Sequence, residues 1–329
     1  MNMTDENLDL ELSAKLTIII PTADRQNYLP VTLASITSEF TRFGRLRVIV
    51  VDNASNPPVD ALMCARFGVE LKRYDDRGDV GESINRAAYL ADTEYVWVFG
   101  DDDLVCTGVL PVVDNILSVE QPDVIYLNRY IANHNLNLIE RTEHPVEIID
   151  MRILSGAEAS IAFTHHPGFI SAVIFRKTML VDTEECEIMF PGFGFMAAIY
   201  KNSLRGKFVF HTKPWVVQRR SESLWKSRWP RFWLVTLPKM FEWLESTHGV
   251  NGALDTIKLE TNRSAVRTLL AARANGYVTS DKFWRDAGKY LSEANYLIAK
   301  VLSHMPIWSV ALIYRFLFII KKAFSRVGI

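Results

Sequence analysis

The sequence predicts an α/β domain with a mainly parallel sheet, followed by a helical C-terminal extension. Short β-branched runs alternate with stretches of helical spacing in the first hundred residues. Polar residues gather just beyond the ends of three of those runs, and from Trp225 onward the pattern turns helical and tryptophan-rich. In open α/β sheets ligands collect where strands end at their carboxyl side, so the three polar clusters are expected to share one crevice.

The elements follow in chain order. Residues 16–20 form an apolar run closed by Pro21, which reads as a buried parallel strand. Leu29, Leu33, Ile36 and Phe40 then recur at helical spacing. A second buried strand is predicted over 46–51, ending in Asp52 and Asn53, and a third over 69–74. Gly81 opens a helix over 83–91, and the strand predicted over 94–99 runs into Gly100, Asp101, Asp102 and Asp103. Further strands are expected over 123–129, 171–175 and 208–217. Helices are expected over 234–245, 259–274, 282–302 and 307–324. The spacing divides the chain into an acidic lead-in (1–14), an α/β domain (15–222), a helical region (223–304) and an amphipathic tail (305–329).

Composition narrows the class. The formal net charge of −1 argues against a nucleic-acid partner, because no basic field surrounds the chain. Cys64, Cys106 and Cys186 are far apart and form no paired framework, which suits a reducing, cytoplasmic compartment. The acidic N-terminus lacks the apolar core of a signal peptide. His165 and His166 have no third ligand at a zinc-like spacing, and Ser171, Ser221 and Ser223 sit in no nucleophile motif.

Three adjacent aspartates after an apolar strand need a counter-charge, since packed like charges repel. A hard divalent cation, Mg²⁺ or Mn²⁺, held by one or two carboxylates and by substrate phosphates meets that need. A solvated acidic turn at a helix start is the plainer alternative. The runs ending at Pro21 and Thr22, at Asp52 to Ser55 and at Asp101 to Asp103, with the Gly81 helix between them, occur in an order that resembles the family 2 glycosyltransferases of the GT-A fold. Within that family the chain looks most like the bacterial polysaccharide and O-antigen enzymes, including the abequosyltransferase-like group with its Gly-Asp-Asp-Asp motif. The resemblance covers residues 15–110 closely and 165–225 loosely.

The resemblance implies a metal-assisted, inverting transfer of a sugar from a nucleotide donor to a glycan or lipid-linked saccharide. It places Asp52 at the nucleotide base, where a carboxylate accepts equally from uracil N3–H or a cytosine amino group, so UDP and CDP both remain open. Pro21, Thr22, Arg25 and Asn53 are expected around that base, Asp101 at the ribose, Asp102 on the metal, and Asp103 as a further ligand or a group at the donor sugar. The commoner motif carries an aspartate where this chain has Gly100, so the division of ligand roles among the three aspartates is open. Arg219 or Arg220 is expected on the diphosphate, with Arg77 a second choice. The general base is sought among Asp182, Glu184, Glu185 and Glu187, and His165 and His166 of a separate loop, with Glu185 taken as the working assignment.

Met305 to Ile320 is the most apolar stretch of the chain, interrupted by Arg315 and followed by Lys321, Lys322 and Arg326. It reads as an interfacial helix on the cytoplasmic face of the inner membrane, or as a helix packed on the protein. Two other functions compete with the transferase. A sugar nucleotidyltransferase would need a glycine-rich loop after the first strand, and residues 21–27 contain no glycine. A non-catalytic glycan- or membrane-binding scaffold on the same fold would release no nucleotide.

Overall fold

The computed structural model describes residues 12–164, 168–220 and 229–314. The chain divides into two compact units, Met1–Ser221 and Glu222–Ile329.

The first unit is built on one twisted sheet. Strands β1 (Leu16–Thr22), β2 (Arg47–Asn53), β3 (Glu70–Tyr74) and β4 (Tyr95–Val98) form a parallel block in the order β3-β2-β1-β4. Beyond β4 the sheet becomes mixed. A short β5 (Leu104–Val105), β6 (Val124–Ala132), β7 (Ile139–Thr142), β8 (Met151–Ser155), β9 (Val173–Arg176) and the long β10 (Lys207–Arg219) continue it. β9 runs antiparallel between β4 and β6, and β10 runs parallel to β6. Register slips around Pro214, which has no N–H to give the ladder, bend β10 so that its end returns past β5.

The central strands are buried on both faces, which is why they read as unbroken apolar runs. Ile18, Ile20, Val48, Val50, Trp97 and Phe99 pack against helix α1 (Leu29–Thr37) through Leu29, Leu33 and Ile36. Full burial of each of those three side chains contributes about 1.5–3 kcal/mol. The alternating residues Ile19, Ile49, Val51, Val96 and Val98 are buried as well. Helix α2 (Ala61–Phe67) starts on the Asp60 side chain, which accepts from Leu62 N, and stops at Gly68 in the left-handed region, φ 65°. Helix α3 (Val80–Tyr89) starts three residues earlier than its pattern suggests because Asp79 caps it by accepting from Glu82 N. Helix α4 (Val109–Val119) buries Val109, Leu110, Val113, Ile116 and Leu117. Helices α5 (Gly156–Ala162), α6 (Thr183–Met189) and α7 (Gly194–Ser203) complete the unit.

The second unit is helical. A π-helical turn, Phe232–Thr236, leads into α8 (Leu237–His248), followed by α9 (Ala253–Ala274), α10 (Asp281–Ala287) and α11 (Glu293–His304). Leu234, Ala265, Leu269, Phe283, Trp284, Ala287, Leu291 and Ala299 form its core. The single helix expected over 282–302 is two, because Ser292 turns out as a cap and accepts from Asn295 N. Residues 307–314 are helical, and the rest of the predicted tail helix lies outside the described residues. Among the described residues no helix is long and apolar enough to cross a membrane.

Candidate active site

Strand register brings the polar ends together. Thr22 lies opposite Asp52 and Val98 opposite Ile19, while Phe99 N donates to Ile19 O, so the chain leaving β4 crosses the end of β1. The acidic triplet is thereby laid against Thr22, Arg25 and Thr32. Thr22 Oγ1 donates to Asp101 Oδ2 at 2.6 Å, and Arg25 Nε to Asp101 Oδ1 at 2.9 Å. The same guanidinium pairs through Nη2 with Asp102. From α1, the Thr32 hydroxyl lies 2.9 Å from the carbonyl oxygens of both Asp101 and Asp103.

Asp103 is turned inward. Ser171 Oγ donates to its Oδ2 at 2.5 Å, and Arg219 N to its Oδ1 at 3.1 Å. Ser171 in turn accepts from Gly100 N at 2.8 Å. This accounts for the glycine of the motif: a Cβ at Gly100 would lie 2.8 Å from Asp103 Oδ2 and 3.0 Å from Ser171 Oγ. Burial, reinforced by the neighbouring Asp102 charge, raises the Asp103 carboxyl well above its ordinary range despite those two hydrogen bonds. Burial also pushes Asp101 up to about 6, although the Arg25 charge opposes it. Both shifts run against full ionisation of the triplet, and Arg25 balances part of its charge.

Asp52, expected at a nucleotide base, has both carboxylate oxygens engaged by protein donors. It is fully buried, and its oxygens accept from Ser55 N at 2.9 Å, Val59 N at 3.1 Å and Arg73 Nη1. Burial alone would raise this carboxyl, but the hydrogen bonds from Ser55, Val59 and Arg73 outweigh it and hold the group below its ordinary value. Its geometry is that of a carboxylate fastening the turn after β2. Asn53 forms a two-way amide clasp with Gly78, donating to its carbonyl at 3.0 Å and accepting from its N–H at 3.1 Å. Pro21 is part of β1 and lies opposite Val51. Arg77 pairs with Asp24, which also accepts from Asn56 N, so both stand on the exposed loops flanking the strand ends.

The two arginines after β10 separate cleanly. Arg219 bends over the triplet: its Nε donates to Asp102 O at 3.0 Å, and its guanidinium stands 5.1 Å from the Tyr28 ring centre. Arg25 lies over the same ring at 4.9 Å. Arg219 Nη2 is buried without a hydrogen-bond partner. Arg220 instead pairs with Glu140 at 2.6 Å and is half exposed. Among the acids considered as base, Glu184 and Glu185 are exposed, and Asp182 pairs with Lys201 at 2.9 Å. Glu187 is part-buried and accepts from the N–H groups of Gly192 and Gly194. His165, His166, Ser221 and Ser223 lie outside the described residues.

Residues 17–195 match the family model for glycosyl transferase family 2, more than half of the chain. The chain belongs to glycosyl transferase family 2. No curated protein matches this glycosyltransferase by sequence. Among solved structures it is similar to S. aureus TarS 1-349 in complex with UDP-GlcNAc, at 15% identity and a TM-score of 0.51, over 92% of this chain and 91% of that one. The same TarS fragment without that ligand gives 15% identity, a TM-score of 0.50 and the same coverage. At that identity the likeness concerns the fold.

Whether this family 2 glycosyltransferase has a place for a divalent cation follows from the oxygens its triplet has to offer. Among the described residues no three His, Cys, Asp or Glu side chains gather into a cage. Asp101 and Asp103 have their oxygens engaged by Thr22, Arg25, Ser171 and Arg219, and Asp102 is ion-paired with Arg25, with a side chain 15% exposed against 8% for Asp101. The set offers a cation at most one protein carboxylate, Asp102, in exchange for its Arg25 pair, with the other positions left to phosphate oxygens of a ligand. It does not fit three carboxylates closing on one ion. Ser171, Thr32, Tyr28 and Arg73 were not singled out for this site from the sequence, because each reaches it across many residues and none sits in a motif.

Proposed function

We propose that this glycosyltransferase moves a sugar from a UDP- or CDP-linked donor to a hydroxyl of a glycan or lipid-linked saccharide, with inversion at the anomeric carbon, in surface-polysaccharide assembly of the O-antigen kind. The observation that carries the reading is Arg219. Its buried, unpartnered Nη2 stands over the aspartate triplet, in a site that already contains a second guanidinium, Arg25. A buried guanidinium N–H without an acceptor loses solvation unless an anion arrives, and a diphosphate supplies one. That TarS was crystallised with UDP-GlcNAc makes a UDP-sugar the first donor to try.

In this reading the diphosphate lies between Arg219 and the triplet, with Tyr28 beneath both arginines as an apolar floor. The acceptor oxygen forms a bond to the anomeric carbon as the bond from that carbon to the phosphate oxygen breaks, and the electron pair departs with the diphosphate. Arg219 and Arg25 face the oxygen on which the charge grows, where fixed donors lower the barrier. A bound Mg²⁺ or Mn²⁺, held by Asp102, would add Lewis-acid assistance to the same departure. Thr22 and Thr32 keep Asp101 and the loop in register so that the charges are set before the donor binds. The turn fastened by Asp52, together with Asn53, Pro21 and Thr22, forms the wall on which the nucleoside would rest.

The tail supports a place at a membrane surface. Ile307, Trp308 and Leu312 are 43%, 69% and 58% exposed on the helical segment that precedes the basic end of the chain. Vesicle flotation with the full chain and with one ending at Ser303 tests this, and equal flotation of the two removes it. The transfer itself is tested by nucleotide release from UDP-GlcNAc, UDP-glucose and CDP-linked donors, with and without Mn²⁺. Release from at least one donor is expected. Release from none with any acceptor would favour the scaffold reading.

A further inference from the structure

A sugar transferred to a hydroxyl requires something to take the hydroxyl proton, and the triplet is poorly suited to it because Asp101 and Asp103 are buried and Asp101 is ion-paired with Arg25, whereas Glu187 is only part-buried. A second carboxylate stands at the same edge of the sheet. Gly78, clasped by Asn53 at the end of β2, leads through Asp79 into α3, and Gly81 in its first turn touches the loop after α6. A Cβ at Gly81 would come within 2.9 Å of the Gly192 carbonyl carbon and 3.0 Å of Glu187 Oε2. A Cβ at Gly194 would come within 2.5 Å of the same oxygen. Two side-chain-free positions on different elements thus press against one carboxylate. Glu187 accepts from Gly192 N and, at 2.8 Å, from Gly194 N at the start of α7. Among the described residues it makes no ion pair, unlike Asp182, which is bound to Lys201.

From this cradle we infer that Glu187, rather than Glu185, is the general base of the transfer. The two backbone N–H groups fix the carboxylate, and the missing side chains at 81 and 194 leave the approach to it narrow. The proton of the acceptor hydroxyl passes to a Glu187 oxygen as the acceptor oxygen bonds to the anomeric carbon and the diphosphate leaves with the electron pair. Burial raises this carboxyl above its ordinary value against the two backbone hydrogen bonds, and the charges of Asp79 and Glu82 on α3 add to the rise. That brings it nearer the working pH, where a base is most effective. Asp79 and Glu82 are the charged groups that act on it, and Glu82 is itself paired with Arg86. The inference rests on the proposed sugar transfer.

The test compares wild type, Glu187→Gln and Glu185→Gln in the full chain, with UDP-GlcNAc or the best donor of the panel and p-nitrophenyl glycosides as acceptors. Thermal melting and UDP binding check that each variant is folded with its nucleotide site intact. Glu187→Gln is expected to lower kcat by between about a hundredfold and ten-thousandfold with donor KM little changed. Its residual rate should also lack the acid limb of the wild-type pH profile. If Glu187→Gln does not fold, Gly81→Ala, which crowds the same oxygen, is expected to lower kcat with UDP binding retained. Full activity of a folded variant, or a loss confined to Glu185→Gln, overturns the assignment while leaving the transferase reading intact. If the wild-type chain moves no sugar from any donor, the transferase reading fails first.

Discussion

Replacing Gly100 by alanine isolates the contact on which the arrangement of the triplet depends. The new methyl would sit 2.8 Å from Asp103 Oδ2, closer than carbon and oxygen tolerate, and 3.0 Å from Ser171 Oγ, a contact that requires Ser171 to give way. Neither neighbour has an easy retreat. Asp103 is held on its other oxygen by Arg219 N, and Ser171 accepts from Gly100 N itself. Overpacking of this sort costs about 1–3 kcal/mol. Separating Ser171 from a buried carboxyl adds about 1–3 kcal/mol for the group left without its partner. The expected loss is therefore about 2–6 kcal/mol of unfolding free energy, read by urea titration. Donor turnover should fall as well, because Arg219 is anchored through the same aspartate. Ser171→Gly in the Gly100→Ala background opens space, so the pair should couple by at least about 1 kcal/mol. A Gly100→Ala protein as stable and as active as wild type would refute the packing account of the motif.

Two further outcomes follow from the same geometry. Asp52→Asn puts an amide where the buried carboxylate accepts two backbone N–H groups and Arg73, and should lower stability by about 1–3 kcal/mol at pH 7. The folded-state pKa of Asp52 is depressed, so its contribution is present above its unfolded value of about 3.9 and is lost as pH falls through the folded value. The difference between wild type and variant in an acid unfolding series should shrink over that window, and a constant difference would speak against a charged Asp52. Arg219→Lys keeps the charge but removes the planar fork over Asp102 O, and donor KM should rise about tenfold, or about 1.4 kcal/mol. An unchanged KM would detach Arg219 from the diphosphate.

The parallel block was legible because its strands are buried on both faces and so appear as continuous runs, as in 46–51. The ends of those runs also marked where the site would lie. What could not be read was the direction of individual carboxylates. Asp52 looks like a free strand-end acid until Arg73, 21 residues later on β3, is laid beside it by the register of β2 with β3. Asp103 depends on Ser171, 68 residues away on a turn that carries no motif. Glu185 and Glu187 are two positions apart on α6, which on a helix turns them to different faces, and only the approach of Gly81 and Gly194 distinguishes them. The helix pair within 282–302 reads as one because its apolar spacing persists through Ser292, whose capping role the periodicity does not register.

Calorimetric titration of UDP and CDP into the wild-type chain and into Asp102→Ala, each with and without Mn²⁺, bears most directly on a nucleotide diphosphate held at the strand ends. Wild type should bind at least one nucleotide more tightly when Mn²⁺ is present, and Asp102→Ala should lose that increment while melting at the wild-type temperature. Equal, Mn²⁺-enhanced binding by both proteins would place the diphosphate away from the aspartate triplet.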